Sequence, residues 1–196
     1  IKNFTIVVAA DCTGHGVPGA FMSMLGMSML KEIVKKEYMT QPDIILRRLR
    51  KEVVKALGQT GEAGEQKDGM DMALISINFE NMLMQFSGAN NPIYFIRDGE
   101  LISYKGDKMP IAIYEKMDKF STTEIPLKKG DQIYLFSDGY ADQFGGANGS
   151  KFSYKQFKEL LLSSEKQPLQ EQKAILENTF EEWKKNEKQL DDVCIL

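Results

Sequence analysis

Apolar and polar positions change rhythm several times along the chain. Residues 5–10, Thr5-Ile6-Val7-Val8-Ala9-Ala10, form a short, almost unbroken apolar run that reads as a buried strand. Asp11-Cys12-Thr13-Gly14-His15-Gly16 then supplies a tight turn, and Pro18 suits the opening of a helix. From residue 17 the period becomes four: Phe21, Leu25, Met29 and Ile33 recur, with Met22, Leu30 and Val34 alongside. This predicts a helix over 17–38 with one broad buried face and a wet end at Lys31, Lys35 and Lys36. Met22, Met24, Met27 and Met29 then read as adaptable packing, with a methionine-rich partner surface as the alternative. Pro42 opens a second amphipathic helix through Ile45, Leu49, Val53 and Leu57, and Arg47, Arg48, Arg50 and Lys51 read as its solvated face.

Residues 58–69 are glycine-rich and charged and read as a mobile loop. Strand patterns follow at 71–77, 83–87, 93–97, 101–104, 120–125 and 132–136. The turn signals Asn90-Asn91-Pro92 and Asp98-Gly99 favour antiparallel pairing. Helical patterns return at 154–163 and 170–186, where Trp183 reads as a core or edge anchor, before a short final strand, Val193-Cys194-Ile195-Leu196. Strands bunched between helices predict an α+β fold with helices covering antiparallel sheets.

At 196 residues the chain is expected to form a single domain over 1–196. Its 25 basic and 28 acidic residues are intermixed, which gives no electrostatic reason to expect nucleic acid as a partner. No apolar run reaches the roughly 20 residues of a membrane span, so no membrane contact is expected of this domain. Two cysteines suit a reducing, cytoplasmic setting.

The chemistry narrows by exclusion. One histidine and two distant cysteines are too few soft ligands for zinc. A nucleophilic triad would need His15, which stands between glycines with no serine partner in view. Gly145, Gly146 and Gly149 precede Ser150-Lys151 without a phosphate-loop ending. Carboxylates at the edges of apolar runs remain: Asp11, then Asp138 after 131–137, then Asp191-Asp192 before the last run. Asp68 and Asp71 read as a loop end and a strand start, with a ligand role for Asp71 as the alternative. Oxygen donors of this kind select Mg²⁺ or Mn²⁺, ions that mostly serve phosphoryl chemistry.

Asp11-x-x-Gly14-His15-Gly16, Phe136-Ser137-Asp138-Gly139 and the late Asp191-Asp192 resemble, in order, motifs of the type 2C metal-dependent protein phosphatases. Ser87-Gly88-Ala89-Asn90-Asn91-Pro92 and Lys105-Gly106-Asp107-Lys108-Met109-Pro110 narrow the resemblance to the bacterial sporulation stage II E branch. The resemblance implies an αββα sandwich of two mainly antiparallel sheets flanked by helices. It implies two Mn²⁺ or Mg²⁺ ions that activate water to hydrolyse phosphoserine or phosphothreonine in a protein. Asp11 matches the acid that bridges both ions, Cys12 the position whose backbone carbonyl also binds, and Asp138 and Asp191 the remaining acids, with Asp192 second to Asp191. Asp142 matches a ligand of a weaker third ion. The general-acid histidine of eukaryotic relatives is spaced differently from His15 and is not carried over.

The same resemblance implies an upstream sensor domain and a signalling partner such as an anti-sigma-factor antagonist; the composition suits a cytoplasmic location, or the cytoplasmic part of a membrane-anchored sensor, and a sheet edge left open by a missing first strand would favour a homodimer. Relatives carry an earlier strand pair ending in Gly-Asp, so the chain is expected to lack the family's first strands and first acid. The alternative reading is therefore a phosphatase-like interaction or regulatory module without turnover.

Overall fold

The computed structural model describes residues 3–14, 16–62, 68–115 and 117–196. Two compact units emerge: Ile1–Ile93 with Tyr104–Lys129, and Tyr94–Ser103 with Gly130–Leu196.

In the first unit, β1 (Phe4–Cys12), β2 (Met70–Asn78), β3 (Leu83–Ala89) and β6 (Thr123–Pro126) form an antiparallel sheet in the order β1-β2-β3-β6. The register puts Ala9 opposite Ala73 and Asp11 opposite Asp71. β2 is apolar on both faces, and Met72, Leu74, Ala73 and Ile75 are all buried. Met70, Met72 and Leu74 share a core with α1 (Gly16–Lys35) and α2 (Pro42–Ala56). Pro42 begins α2, and its fourfold apolar spacing delivers Ile45, Leu46, Leu49 and Val53 to that core with no exposed surface. Each such burial is worth about 1.5–3 kcal/mol relative to exposure.

Two expectations for these helices are corrected. Arg50 is 6 % exposed and does not belong to a solvated face. Its guanidinium donates to the Asp118 carbonyl at 2.6 Å and to the Met109 sulfur at 3.1 Å, and lies 4.7 Å from the Phe120 ring centre. Burial pushes its pKa down, against the nearby charge of Asp118. The predicted strand at 120–125 starts later, at Thr123: Phe120 lies beneath this cation, and the Ser121 N–H goes to the Asp107 carboxylate at 2.7 Å.

On α1 the buried positions are Gly19, Met22, Gly26 and Ile33. Val17, Phe21 and Met24 are 70 %, 68 % and 67 % exposed, and Met27 is exposed as well. The close face is chosen by small residues: a β-carbon at Gly26 would come 2.8 Å from the Met70 methyl carbon. Bulk at Phe21 cannot approach as closely, so the helix turns its glycines inward.

In the second unit, β4 (Ile93–Arg97, all but its first residue), β5 (Glu100–Tyr104, all but its last) and β7 (Gln132–Leu135) form a sheet in the order β5-β4-β7. Asp98 and Gly99, with φ of 52° and 82°, make the two-residue turn that joins β4 to β5. Arg97 grips Asp131 with two hydrogen bonds, of 2.8 and 2.6 Å. Beyond β7 the chain returns at 194–196, antiparallel and paired through Leu135 with Leu196 and through Phe136 with Ile195.

α3 (Gly139–Asp142) and the hairpin of β8 (Phe144–Gly145) and β9 (Ser150–Lys151) lie in a stretch to which the sequence pattern assigns no element. α4 (Ser153–Ser164) and α5 (Leu169–Lys184) follow. Their core is aromatic, with Tyr94, Phe136, Phe157, Tyr140, Phe152 and Phe180 in successive ring contacts at 4.5 to 5.9 Å. Trp183 stacks edge-on to Phe152 and donates its indole N–H to the Gln143 carbonyl.

Candidate metal centre

Asp11 is the penultimate residue of β1 and is half-buried. Beyond Cys12 the same antiparallel register carries on by one pair, Thr13 with Gly69, before the chain turns. Thr13 N–H donates to the Gly69 carbonyl at 2.9 Å, and Gly69 N–H returns a bond to the Thr13 hydroxyl at 3.2 Å. Gly14 has a φ of 89°, and its carbonyl oxygen approaches Gly19 so closely that a β-carbon there would overlap it. A turn after the acid and a helix against the turn fix where Asp11 points.

Across the β1–β2 pair Asp11 faces Asp71, whose Oδ1 accepts a 2.8 Å hydrogen bond from the Asn90 amide. Like charges directly opposite each other are unfavourable in a sheet, which makes this strand end attractive to cations. Burial pushes the neighbouring Cys12 thiol up, against a hydrogen bond with Ser23, and the charge of Asp11 adds to the rise. A protonated thiol leaves the backbone carbonyl as the donor Cys12 can offer.

In the second unit a ligand oxygen of Asp138 and one of Asp191 lie within 4.8 Å of each other. Ser137 and Gly139 explain the pairing. The Ser137 hydroxyl donates to the Asp192 carbonyl at 2.9 Å and accepts from Cys194 N–H at 3.0 Å. Gly139 permits contact with that same carbonyl. Asp191 Oδ1 accepts the Asp192 N–H at 2.8 Å, and the Gln189 amide holds the Asp191 carbonyl at 2.9 Å. The residues that flank Asp138 in sequence therefore fasten the segment that carries Asp191.

Other candidates have different surroundings. Asp142 receives an ion pair from Lys151 at 2.8 Å. Asp192 contributes its carbonyl to Ser137, and its carboxylate is exposed. His15 lies outside the described residues, as does 63–67 of the predicted loop. The acids are hard oxygen donors, a chemistry that fits Mg²⁺ or Mn²⁺ and not a soft-ligand metal.

Two motif segments serve the scaffold. A β-carbon at Gly106 would meet the Asn91 carbonyl at 2.7 Å and the Gly88 backbone at 2.9 Å, so both glycines let two loops cross in contact. Asp107 locks the crossing by accepting from Ser121 N–H at 2.7 Å and donating its own N–H to Gly88 O at 2.9 Å. Asn90 supports the acid opposite Asp11, a role whose one mark in the sequence is an amide beside the Asn91-Pro92 turn.

Solved structures share this fold. The SiaA-PP2C domain of Pseudomonas aeruginosa superposes with a TM-score of 0.88 at 28 % identity, over 100 % of this chain and 75 % of that one. The RsbU and RsbW domains of Rv1364c from Mycobacterium tuberculosis give 0.74 at 20 % identity, over 98 % of this chain and 51 % of that one. The PP2C phosphatase domain and regulatory fragment of SpoIIE from Bacillus subtilis give 0.73 at 16 % identity, over 98 % and 53 %. The chain thus spans about half the length of the latter two. The fold is α+β, of the PP2C phosphatase-domain type. Residues 2–196 match the family model of stage II sporulation protein E, and the chain belongs to that family. No curated protein matches it. Among the described residues no helix is long and apolar enough to cross a membrane.

Proposed function

We propose that the chain is the output domain of a bacterial signalling protein and hydrolyses phosphoserine or phosphothreonine in a protein substrate. In this reading Asp11, Asp138 and Asp191 hold Mn²⁺ or Mg²⁺, with the Cys12 carbonyl as a further donor and Asp142 and Asp192 as outer candidates. The observation that carries it is the Asp138–Asp191 carboxylate pair, fastened by Ser137 and Gly139. A related fold, RsbX, has been solved in complex with magnesium.

When bound, such cations lower the pKa of coordinated water and neutralise charge on a phosphoryl group. The chain's own residues do the rest. Asp138 and Asp191, presented from a strand end and a clamped return segment, supply fixed negative charge, so little reorganisation accompanies reaction. The Asp11 and Asp71 charges strengthen cation binding at the end of β1. No side chain is required to become covalently modified.

The partner class follows from the same reading: a phosphorylated antagonist of an anti-sigma factor. The test is Mn²⁺-dependent phosphate release from a phosphoserine protein by the full-length protein. Asp11→Ala and Asp138→Ala are each expected to lower it by about a hundredfold or more, on the scale of losing a main catalytic electrostatic contact. Activity unchanged in both variants overturns the reading.

A further inference from the structure

Gln143 follows α3 directly and has no exposed surface. Its backbone carbonyl accepts the Phe152 N–H at 2.9 Å and the Trp183 indole N–H at 3.1 Å. Its side-chain amide is fully employed as well. Nε2 donates to the Phe144 carbonyl at 2.9 Å and to the Lys188 carbonyl at 3.1 Å, and Oε1 accepts the Leu190 N–H at 3.3 Å. A buried carboxamide costs free energy unless its groups are paired, and an apolar side chain would fill the same space without that demand. The amide is therefore kept for what it holds.

It holds the approach to Asp191. One carboxamide binds the carbonyl of residue 188 and the N–H of residue 190, much as a neighbouring strand would. Lys188 and Leu190 are themselves exposed, so water can satisfy both groups if Gln143 lets go. What the amide adds is location. On the far side of Asp191 the Ser137 hydroxyl holds the Asp192 carbonyl and the Cys194 N–H. Segment 137–143 thus carries Asp138 and grips the chain both before and after Asp191.

We propose that Gln143 is a positioning residue: by fixing residues 188–190 it sets the place of the Asp191 carboxylate relative to Asp138, and so the affinity of the pair for a divalent cation. The effect on the cation rests on the metal reading above; the placement of 188–190 does not. Loss of an outer support of a metal ligand typically costs about 10–100-fold in affinity. Gln143 grips backbone and not the carboxylate itself, so the lower end is expected.

The test compares the 196-residue chain with Gln143→Met, which keeps the volume and both bonds to the backbone carbonyl. Without metal, exchange of the Leu190 amide should quicken about tenfold or more. Mn²⁺ affinity, read by electron paramagnetic resonance, should fall about tenfold. Trp183→Phe is the control. It removes the indole N–H and core volume, so it should lower Tm at least as much yet leave Mn²⁺ affinity unchanged. Should Gln143→Met not fold, the parent supplies the reading: saturating Mg²⁺ should slow exchange of the Gln143 side-chain amide and of the Leu190 amide together. The proposal is overturned if Leu190 exchange is the same in Gln143→Met and the parent, if Mn²⁺ affinity is unchanged, or if Trp183→Phe lowers that affinity equally. Mg²⁺ that binds the parent without slowing either amide overturns it too. A parent chain that binds no Mn²⁺ overturns the metal reading, and exchange at Leu190 then decides the placement by itself.

Discussion

A β-carbon placed on Gly139 would stand 2.5 Å from the carbonyl oxygen of Asp192. Residue 139 must therefore be glycine for the segment that carries Asp191 to lie against the start of α3. Gly139→Ala is expected to push that segment outward and cost about 1–3 kcal/mol, the usual range for overpacking. Under the metal reading it should also weaken Mn²⁺ binding about tenfold, equivalent to about 1.4 kcal/mol. Urea denaturation and Mn²⁺ titration followed by electron paramagnetic resonance check the two effects separately. Wild-type affinity in this variant would show that Gly139 does not position the acid.

Gly19 and Gly26 make a paired comparison on one helix. A β-carbon at Gly19 meets the rigid Gly14 backbone, whereas at Gly26 it meets the flexible end of Met70. Gly19→Ala should therefore destabilise by about 1–3 kcal/mol. In Gly26→Ala the gain in helix propensity, about 1 kcal/mol, should offset most of the smaller clash. Equal urea midpoints for the two variants would refute the distinction.

Arg97 and Asp131 form a bidentate pair in which the carboxylate is almost wholly covered. Arg97→Met leaves that charge without its guanidinium, and loss of one partner of a buried pair costs about 3–5 kcal/mol. Because the arginine is a quarter exposed, the expected loss lies toward the lower end. The double variant Arg97→Met, Asp131→Leu should recover part of it. A single variant as stable as the parent would reduce the pair to a surface ornament.

Burial pushes the Tyr94, Tyr134 and Tyr140 hydroxyls up, Tyr134 to about 12, with charges at Tyr154 and Glu165 adding to Tyr94 and Tyr134 respectively. A raised pKa favours the neutral phenol in the folded chain. Below about pH 10, the unfolded value, both states are protonated and this contribution is fully present. Between about 10 and 12 the unfolded chain loses protons that the folded chain keeps, so stability falls as pH rises. Phenolate absorbance should appear late and together with loss of tertiary structure. Titration of all seven tyrosines near pH 10 in a chain that stays folded would contradict the assignment.

Several features of this architecture are legible in the residues alone. α2 announces itself through Pro42 and the spacing of Ile45, Leu49 and Val53, and the β4–β5 turn through Asp98-Gly99. The burying face of α1 is not legible, because two faces carry apolar residues and the choice falls to Gly19 and Gly26, whose significance depends on what they approach. Arg50 is misread for a related reason: its partners, Met109, Asp118 and Phe120, are about 60 or more residues away. Four residues of α3 are too few to show a period. At the candidate centre, Asp11, Asp138 and Asp191 stand out as acids at the ends of apolar runs. The devices that hold them, such as the Ser137 hydroxyl bridge and the Thr13–Gly69 clasp, arise only when distant segments meet.

The return segment that presents Asp191 is joined to β7 by a short zipper: Ser137 to Cys194 and Leu135 to Leu196. Backbone pairs of this kind open and close in a local equilibrium of their own. Any solute that binds only the closed form must stabilise the zipper by RT ln(1 + [L]/Kd), and anything that tightens the zipper must raise the apparent affinity by the same linkage. Under the metal reading, occupancy at Asp191 and opening at Cys194 are thus expected to be two readouts of a single equilibrium, and deuterium uptake at the second should report on the first.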